Sequence, residues 1–126
     1  MSEERLYTVE EAGSMLDDLR ERLPRIREAR NELLASAERI EGRATGNGGG
    51  GEGRGYWKAM RSLRTDVEYL SERSIVLRDP DTGLVDFPAE RNGRPIFLCW
   101  RLGEGGIGYW HDEDAGFTGR KPLESK

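Results

Sequence analysis

The first third of the chain carries apolar residues at alternating intervals of three and four. Positions 9, 12, 16, 19, 23, 26, 30, 33, 37 and 40 follow this spacing, and all but Arg30 are apolar. Such spacing keeps one face of a helix apolar. Thr8 and Glu11 form a capping-box signature, so a helix is predicted from there to about residue 41. Pro24 is expected to kink or break it, because proline cannot donate the helical hydrogen bond.

A second apolar stripe at Tyr56, Met60, Leu63, Val67 and Leu70 predicts a shorter helix over about 56–73. The glycine-rich stretch 42–55 between the two is predicted to be a linker. Together they predict a long antiparallel, coiled-coil-like helical hairpin over 8–73. The shorter helix leaves the stripe from Val9 to Leu23 to be covered by the C-terminal region or by another chain.

After Ser74 the pattern changes to short runs rich in β-branched and aromatic residues between turn signals, which predicts an antiparallel β-meander over 75–111. A two-residue turn at Asn92-Gly93 fixes a register in which paired residue numbers sum to 185. Val85 then lies on the face toward the helices, and Asp86 lies opposite Cys99 on the other face. The next turn leaves two registers open. A sum of 208 places His111 on the face of Asp86, and a sum of 209 places it on the core side.

Length and composition favour a single α+β domain over 1–126, with a polar tail at 112–126 that returns once around Phe117. Hydrophobic residues make up 35% of the 126 positions and charged residues another 35%, which indicates solvated helices around a thin core. The chain shows neither an apolar membrane span nor a signal peptide, so no membrane association and a cytoplasmic location are expected. Cys99 is the only cysteine, which excludes an internal disulfide.

Residues 84–120, LVDFPAERNGRPIFLCWRLGEGGIGYWHDEDAGFTGR, resemble the prokaryotic family catalogued as domain of unknown function 2203. The opening LYTVEEAGSMLDDLRERL is similar to the N-terminal helix of that family, and RDPDTGLVDFPA is similar to its lead-in to the sheet. The resemblance covers nearly the whole chain outside the glycine-rich linker. It implies kinship and brings no activity, cofactor or catalytic residue with it.

One set of side chains offers ligand types that a transition metal accepts: Asp86, Cys99, Glu104 and His111. No cofactor is predicted from the sequence beyond a divalent transition metal at this set. The alternative is purely structural, with Asp86 paired to Arg101, Cys99 as a small buried hydrophobe and His111 bonded at a strand end. A Cys99 nucleophile with His111 as its base is a further alternative, although no oxyanion-forming turn accompanies it.

The function favoured by the sequence is a non-enzymatic protein-interaction module that self-associates as a homodimer. Its predicted interface comprises the uncovered helix positions Leu16, Leu19, Leu23 and Arg30. The metal site, as metal binding or metal-dependent catalysis, is the main alternative.

An RNA-binding accessory role is the second alternative, through cations of the two predicted helices: Arg25, Arg27, Arg30, Arg54, Lys58, Arg61 and Arg64. The net charge of −4 argues against a general DNA binder, so nucleic acid is not the favoured partner. Residues 46–78 nevertheless carry a local charge of +2, from six basic and four acidic residues.

Overall fold

The computed structural model describes residues 5–43 and 53–123, which form an α+β structure. The helices are α1 (Val9–Gly13), α2 (Leu16–Arg43) and α3 (Gly53–Glu72). The strands are β1 (Val76–Asp79), β2 (Leu84–Arg91), β3 (Arg94–Arg101), β4 (Tyr109–Asp112) and β5 (Lys121–Pro122). A 3-10 turn over Phe117–Gly119 precedes β5, so the predicted return of the tail around Phe117 is present.

The predicted first helix is divided, but at a different place. The capping box is confirmed, since the Thr8 hydroxyl accepts from the Glu11 amide and the Glu11 carboxylate accepts from the Thr8 amide. The chain then leaves the helix at Ser14 and Met15, whereas α2 continues through Pro24. The expectation of a break at Pro24 was therefore wrong, and a kink there stays a prediction. Its neighbours Leu23 and Ile26 are buried, and this packing on the core offsets the hydrogen bond that proline cannot make.

Contacts between α2 and α3 pair early residues of one helix with late residues of the other. The Tyr69 hydroxyl donates to Asp18, and the buried Asp66 carboxylate accepts from both Arg22 and Arg25. Burial by itself raises the pKa of Asp66, but the two arginine partners outweigh it, and the pKa lies below its usual value. The two helices therefore run in opposite directions along this contact.

The predicted linker 42–55 is shorter in the structure, because α2 extends to Arg43 and α3 begins at Gly53. Residues 44–52 of that linker lie outside the described residues. The coiled-coil character of the helical pair remains a prediction.

The five strands form one antiparallel sheet in the order β1-β2-β3-β4-β5. The predicted register of β2 with β3 is confirmed, with Asp86 opposite Cys99. Asn92 and Gly93 have φ values of 53° and 78°, as a type I′ turn requires. Between β3 and β4 the register is the 208 alternative, with Phe97 opposite His111.

The sheet covers the helix stripe that the sequence left open. Leu16, Leu19 and Leu23 are at most 3% exposed and belong to the same apolar cluster as Phe87 and Trp100 of the sheet. Within this chain they are core residues, so the predicted interface loses its basis.

Arg30, the polar position of the stripe, forms an ion pair with Asp81, with Nη1 2.9 Å from Oδ1. Its partner thus lies in the turn before β2 of the same chain. Among residues 5–43 and 53–123, no helix combines the length and apolar character needed to cross a membrane.

Replacing Leu19 by Ala is expected to lower the free energy of unfolding by about 2–5 kcal/mol, because it leaves a cavity in the core. The loss should be the same at two protein concentrations roughly fiftyfold apart, since a residue buried within one chain is insensitive to association. Urea denaturation followed by circular dichroism measures both. Leu34→Ala on the same helix is the matched control, because Leu34 is 51% exposed. A loss at Leu19 that grows on dilution would instead place this residue in a contact between chains.

Candidate metal centre

Three adjacent strands each present one ligand-type side chain on the sheet face that points away from the helices. Asp86 of β2 lies opposite Cys99 of β3. His111 of β4 lies opposite Phe97, which is on the same face of β3 as Cys99, so His111 is on that face too. All three are at most 1% exposed. One ligand atom from each residue lies within 4.8 Å of the others. Three of the four residues singled out from the sequence are thus brought together.

His111 is oriented by a hydrogen bond at each ring nitrogen. Its Nδ1 lies 2.7 Å from the carbonyl oxygen of Asp112 and must donate to it, because a carbonyl oxygen only accepts. Its Nε2 lies 2.9 Å from Oδ2 of Asp86. A proton therefore lies between this nitrogen and the carboxylate. An Nδ1 anchored on a carbonyl, with Nε2 directed at another ligand-type group, is the orientation of many metal-ligating histidines.

Asp86 uses only one of its two carboxylate oxygens. Oδ2 accepts from Arg78 Nε at 2.8 Å and faces His111 Nε2. Oδ1 is buried and has no hydrogen-bond partner in the described part of the chain. A buried polar atom without a partner is unfavourable and calls for an explanation.

The expected partner of Asp86, Arg101, was the wrong arginine. Arg101 lies opposite Leu84 near the end of β3, and its guanidinium stacks on Phe117, 5.2 Å from the ring centroid. Arg78 takes its place because Val76 of β1 lies opposite Asp86, so that Arg78, two residues further along, lies on the same face and next to Asp86. Sequence reasoning had not fixed this register, so Arg78 was missed.

Cys99 is a fully buried thiol whose surroundings favour the protonated form. Burial raises its pKa to about 11; the nearby Asp86 carboxylate adds to the rise, while Arg120 opposes it. Nη1 of Arg120 lies 3.7 Å from Sγ. His111 directs its Nε2 at Asp86 rather than serving the thiol as a base. This geometry disfavours the nucleophile interpretation.

Glu104, the fourth candidate, lies outside the cluster. Its carboxylate accepts from the Arg101 amide at 2.9 Å and forms an ion pair with Arg120. Burial alone raises the pKa of Glu104, but the hydrogen bonds from Arg120 and from the Arg101 amide bring it below its usual value. Glu104 therefore fixes the arginine that covers Cys99.

Arginine and aromatic side chains close this face of the sheet. The Arg120 guanidinium stacks on Tyr109, 3.9 Å from the ring centroid, and that of Arg78 stacks on Phe97 at 5.0 Å. The Phe97 ring in turn packs against His111, with 5.6 Å between centroids. Arg120 was missed because it lies in the polar tail, where only the predicted return around Phe117 hinted at order. The cover explains how three polar side chains are buried on a face without helices.

The Cys99 thiol is expected to react with a disulfide reagent at pH 8 at least about 100-fold more slowly in the folded protein than in urea, because it is buried and protonated. The absorbance of the released aromatic thiolate measures the rate, and the single cysteine makes the signal unambiguous. Arg120→Ala should accelerate the reaction of the folded protein by opening the cover. Equal rates in the folded and unfolded states would contradict the closed site.

Comparison with known proteins assigns the chain to a family. No curated protein and no solved structure matches the chain significantly. Residues 5–123, nearly the whole chain, match a family described as an uncharacterized conserved protein. The match includes the three clustered residues and the two arginines that cover them. The chain thus belongs to the DUF2203 family.

Proposed function

We propose that this protein binds one divalent transition-metal ion, with zinc the best chemical match, through Asp86, Cys99 and His111. The observation that carries the proposal is the convergence of these buried side chains from three neighbouring strands, with ligand atoms within 4.8 Å of one another. Thiolate, imidazole and carboxylate are the three ligand types of protein zinc sites. Calcium and magnesium prefer oxygen ligands only, so a thiol and an imidazole argue against them.

Charge balance supports a dication at this position. An ion with two positive charges would displace two protons, one from the Cys99 thiol and one from between His111 Nε2 and Asp86 Oδ2. The net charge of the buried site would therefore be unchanged, which avoids the large penalty for burying an uncompensated charge. Oδ1 of Asp86 has no hydrogen-bond partner among the described residues, so it could bind the ion without breaking a hydrogen bond within the protein. Arg78 would remain as a hydrogen-bond donor that orients the carboxylate from outside the ligand set.

The role that fits this site best is structural. The three ligands lie on β2, β3 and β4, so an ion would cross-link three strands of a small sheet. Three protein ligands leave one tetrahedral position open, as in catalytic zinc sites. Arg78, Arg120 and their aromatic partners cover the face on which a substrate would have to approach. We therefore propose a structural metal site and not a metal-dependent enzyme.

Self-association, a protein partner and a cytoplasmic location remain predictions from the sequence. The dimer has less support than the metal site, because Leu16, Leu19 and Leu23 are buried against the sheet of the same chain.

Chelator-treated protein is expected to take up about one equivalent of Zn²⁺ or Co²⁺, the latter with a thiolate-to-cobalt charge-transfer band and tetrahedral visible bands. Asp86→Asn, Cys99→Ala and His111→Gln should each weaken binding by about 100-fold or more, because each removes a ligand. Elemental analysis and cobalt titration measure stoichiometry and affinity. Zinc at about 100 times its Kd should also stabilise the wild type by about 2.7 kcal/mol.

Glu104→Gln is the matched control, because Glu104 is a nearby carboxylate outside the cluster. It should leave the affinity within about threefold of the wild type, since it alters only the support of Arg120. Circular dichroism identifies any variant that fails to fold. Absence of metal uptake by folded wild-type protein, or equal losses in Glu104→Gln and Asp86→Asn, would refute the proposed site.

Metal affinity should rise with pH. The pKa of the Cys99 thiol, about 11, lies above the working range, so the thiol is protonated in the free protein and loses its proton when the ion binds. The apparent Kd should fall about tenfold per pH unit between about pH 6 and 8, because binding of each ion releases one proton from the thiol. In Cys99→Ala, the Kd of the residual weak binding should change about tenfold less per pH unit than the Kd of the wild type does. Binding that is insensitive to pH would exclude the thiolate as a ligand.

A further inference from the structure

The solvent face of α3 carries four cations along its first three turns: Arg54, Lys58, Arg61 and Arg64. All four are exposed, on the side of the helix away from the buried Ala59 and Asp66. Within the described ranges, none of the four forms an ion pair or a side-chain hydrogen bond. This differs from α2, where Arg22 and Arg25 neutralise Asp66 and Arg30 pairs with Asp81.

Trp57 lies among these cations and is 60% exposed, the highest value among the exposed large hydrophobic side chains of the described residues. At 100° per residue, its position on the helix falls between those of Arg61 and Arg64. The Tyr56 ring contacts the indole edge-on, with 5.3 Å between ring centroids, and so orients it. The apolar ring of an indole is poorly solvated by water, so its exposure on a charged face favours a partner that stacks on it. We call Arg54, Trp57, Lys58, Arg61 and Arg64 the basic face.

The first turn of α3 carries no acidic residue and contains Arg54, although a cation is unfavourable near a helix N-terminus. The other end of the helix is satisfied, since Arg73 donates to the Tyr69 carbonyl oxygen. Helix stability therefore does not explain the position of Arg54, which suits an anionic partner near this end of the helix.

We infer that the basic face binds single-stranded nucleic acid. Phosphates would neutralise four cations that have no ion-pair partner among the described residues, and bases would stack on the indole, as in other sequence-tolerant single-strand binders. Arg54 and Arg64 are ten residues apart, so the face is about 15 Å long and suits a short stretch of nucleotides. The overall charge of −4 does not oppose this, because residues 46–78 carry +2.

A membrane surface and an acidic peptide fit less well. A helix that lies on a membrane buries a broad apolar face, whereas Ala59 and Leu70 on the apolar side of α3 are already buried in this chain. An acidic peptide would satisfy the cations but has no need for an exposed indole between them.

Fluorescence anisotropy of a labelled single-stranded oligouridylate, titrated with the full chain at low salt, tests the inference. Arg61→Gln combined with Arg64→Gln should weaken binding about tenfold or more. The negative slope of log K against log salt should become shallower by about 1.4, since two phosphate contacts are lost. Arg94→Gln combined with Lys121→Gln is the matched control. It removes the same charge from exposed sites on the sheet and should change the affinity less than about threefold.

Trp57→Ala should weaken binding about tenfold, while Trp57→Phe should retain most of the affinity because it keeps a stacking ring. Failure of the wild type to bind at low salt, or equal losses in the two double variants, would overturn the inference. So would equal affinities of Trp57→Ala and Trp57→Phe, or tighter binding to polyglutamate or to phosphatidylserine vesicles than to the oligonucleotide. Because the basic face is remote from the metal ligands in sequence and lies on a helix, Cys99→Ala should retain oligonucleotide binding. This keeps the test separate from that of the metal site.

Discussion

The register between neighbouring strands is the constraint on which the rest of this structure depends. The Asn92-Gly93 turn sets Asp86 opposite Cys99, and the next pairing sets Phe97 opposite His111. Side chains alternate between the two faces of a sheet, so a slip of one residue would move His111 to the helix side. The same slip would disrupt the apolar layer in which Phe87 faces Leu98 and Leu98 faces Trp110. Core packing therefore selects the register that also brings the three candidate ligands together.

The outer face of the sheet shows how a small sheet can bury polar groups without a second layer of helices. Arg78 and Arg120 extend their side chains across the face, stack on Phe97 and Tyr109, and direct their charged ends at Asp86 and Glu104. Long amphipathic side chains cover apolar surface in this way while their charged ends stay paired or hydrated. Among the described residues, Oδ1 of Asp86 lies beneath this cover without a hydrogen-bond partner. A metal ion shared with Cys99 and His111 would supply a partner.

The helices and the sheet contribute different surfaces. Leu16, Leu19 and Leu23 of α2 pack against the sheet and form the core with it. The basic face of α3 lies on the solvent side of that helix. The proposed metal site and the basic face therefore have no residue in common, although both elements contribute to the core. The closed sheet face suits an ion held for stability. The open basic face suits a partner that binds and leaves.

The sequence by itself determined the features that depend on neighbours along the chain. The Thr8 capping box, the two long helical stripes, the type I′ turn and the pairing of Asp86 with Cys99 follow from local hydrogen bonds, side-chain periodicity and allowed backbone angles. The tertiary structure alone decided which face carries His111, which arginine reaches Asp86, and that Arg120 returns to cover Cys99. It also decided that the chain's own sheet covers the Leu16–Leu23 stripe, and that α2 continues through Pro24. These outcomes depend on the summed packing of residues distant in sequence, because each contact is weak alone and only the assembled core selects among the locally allowed alternatives.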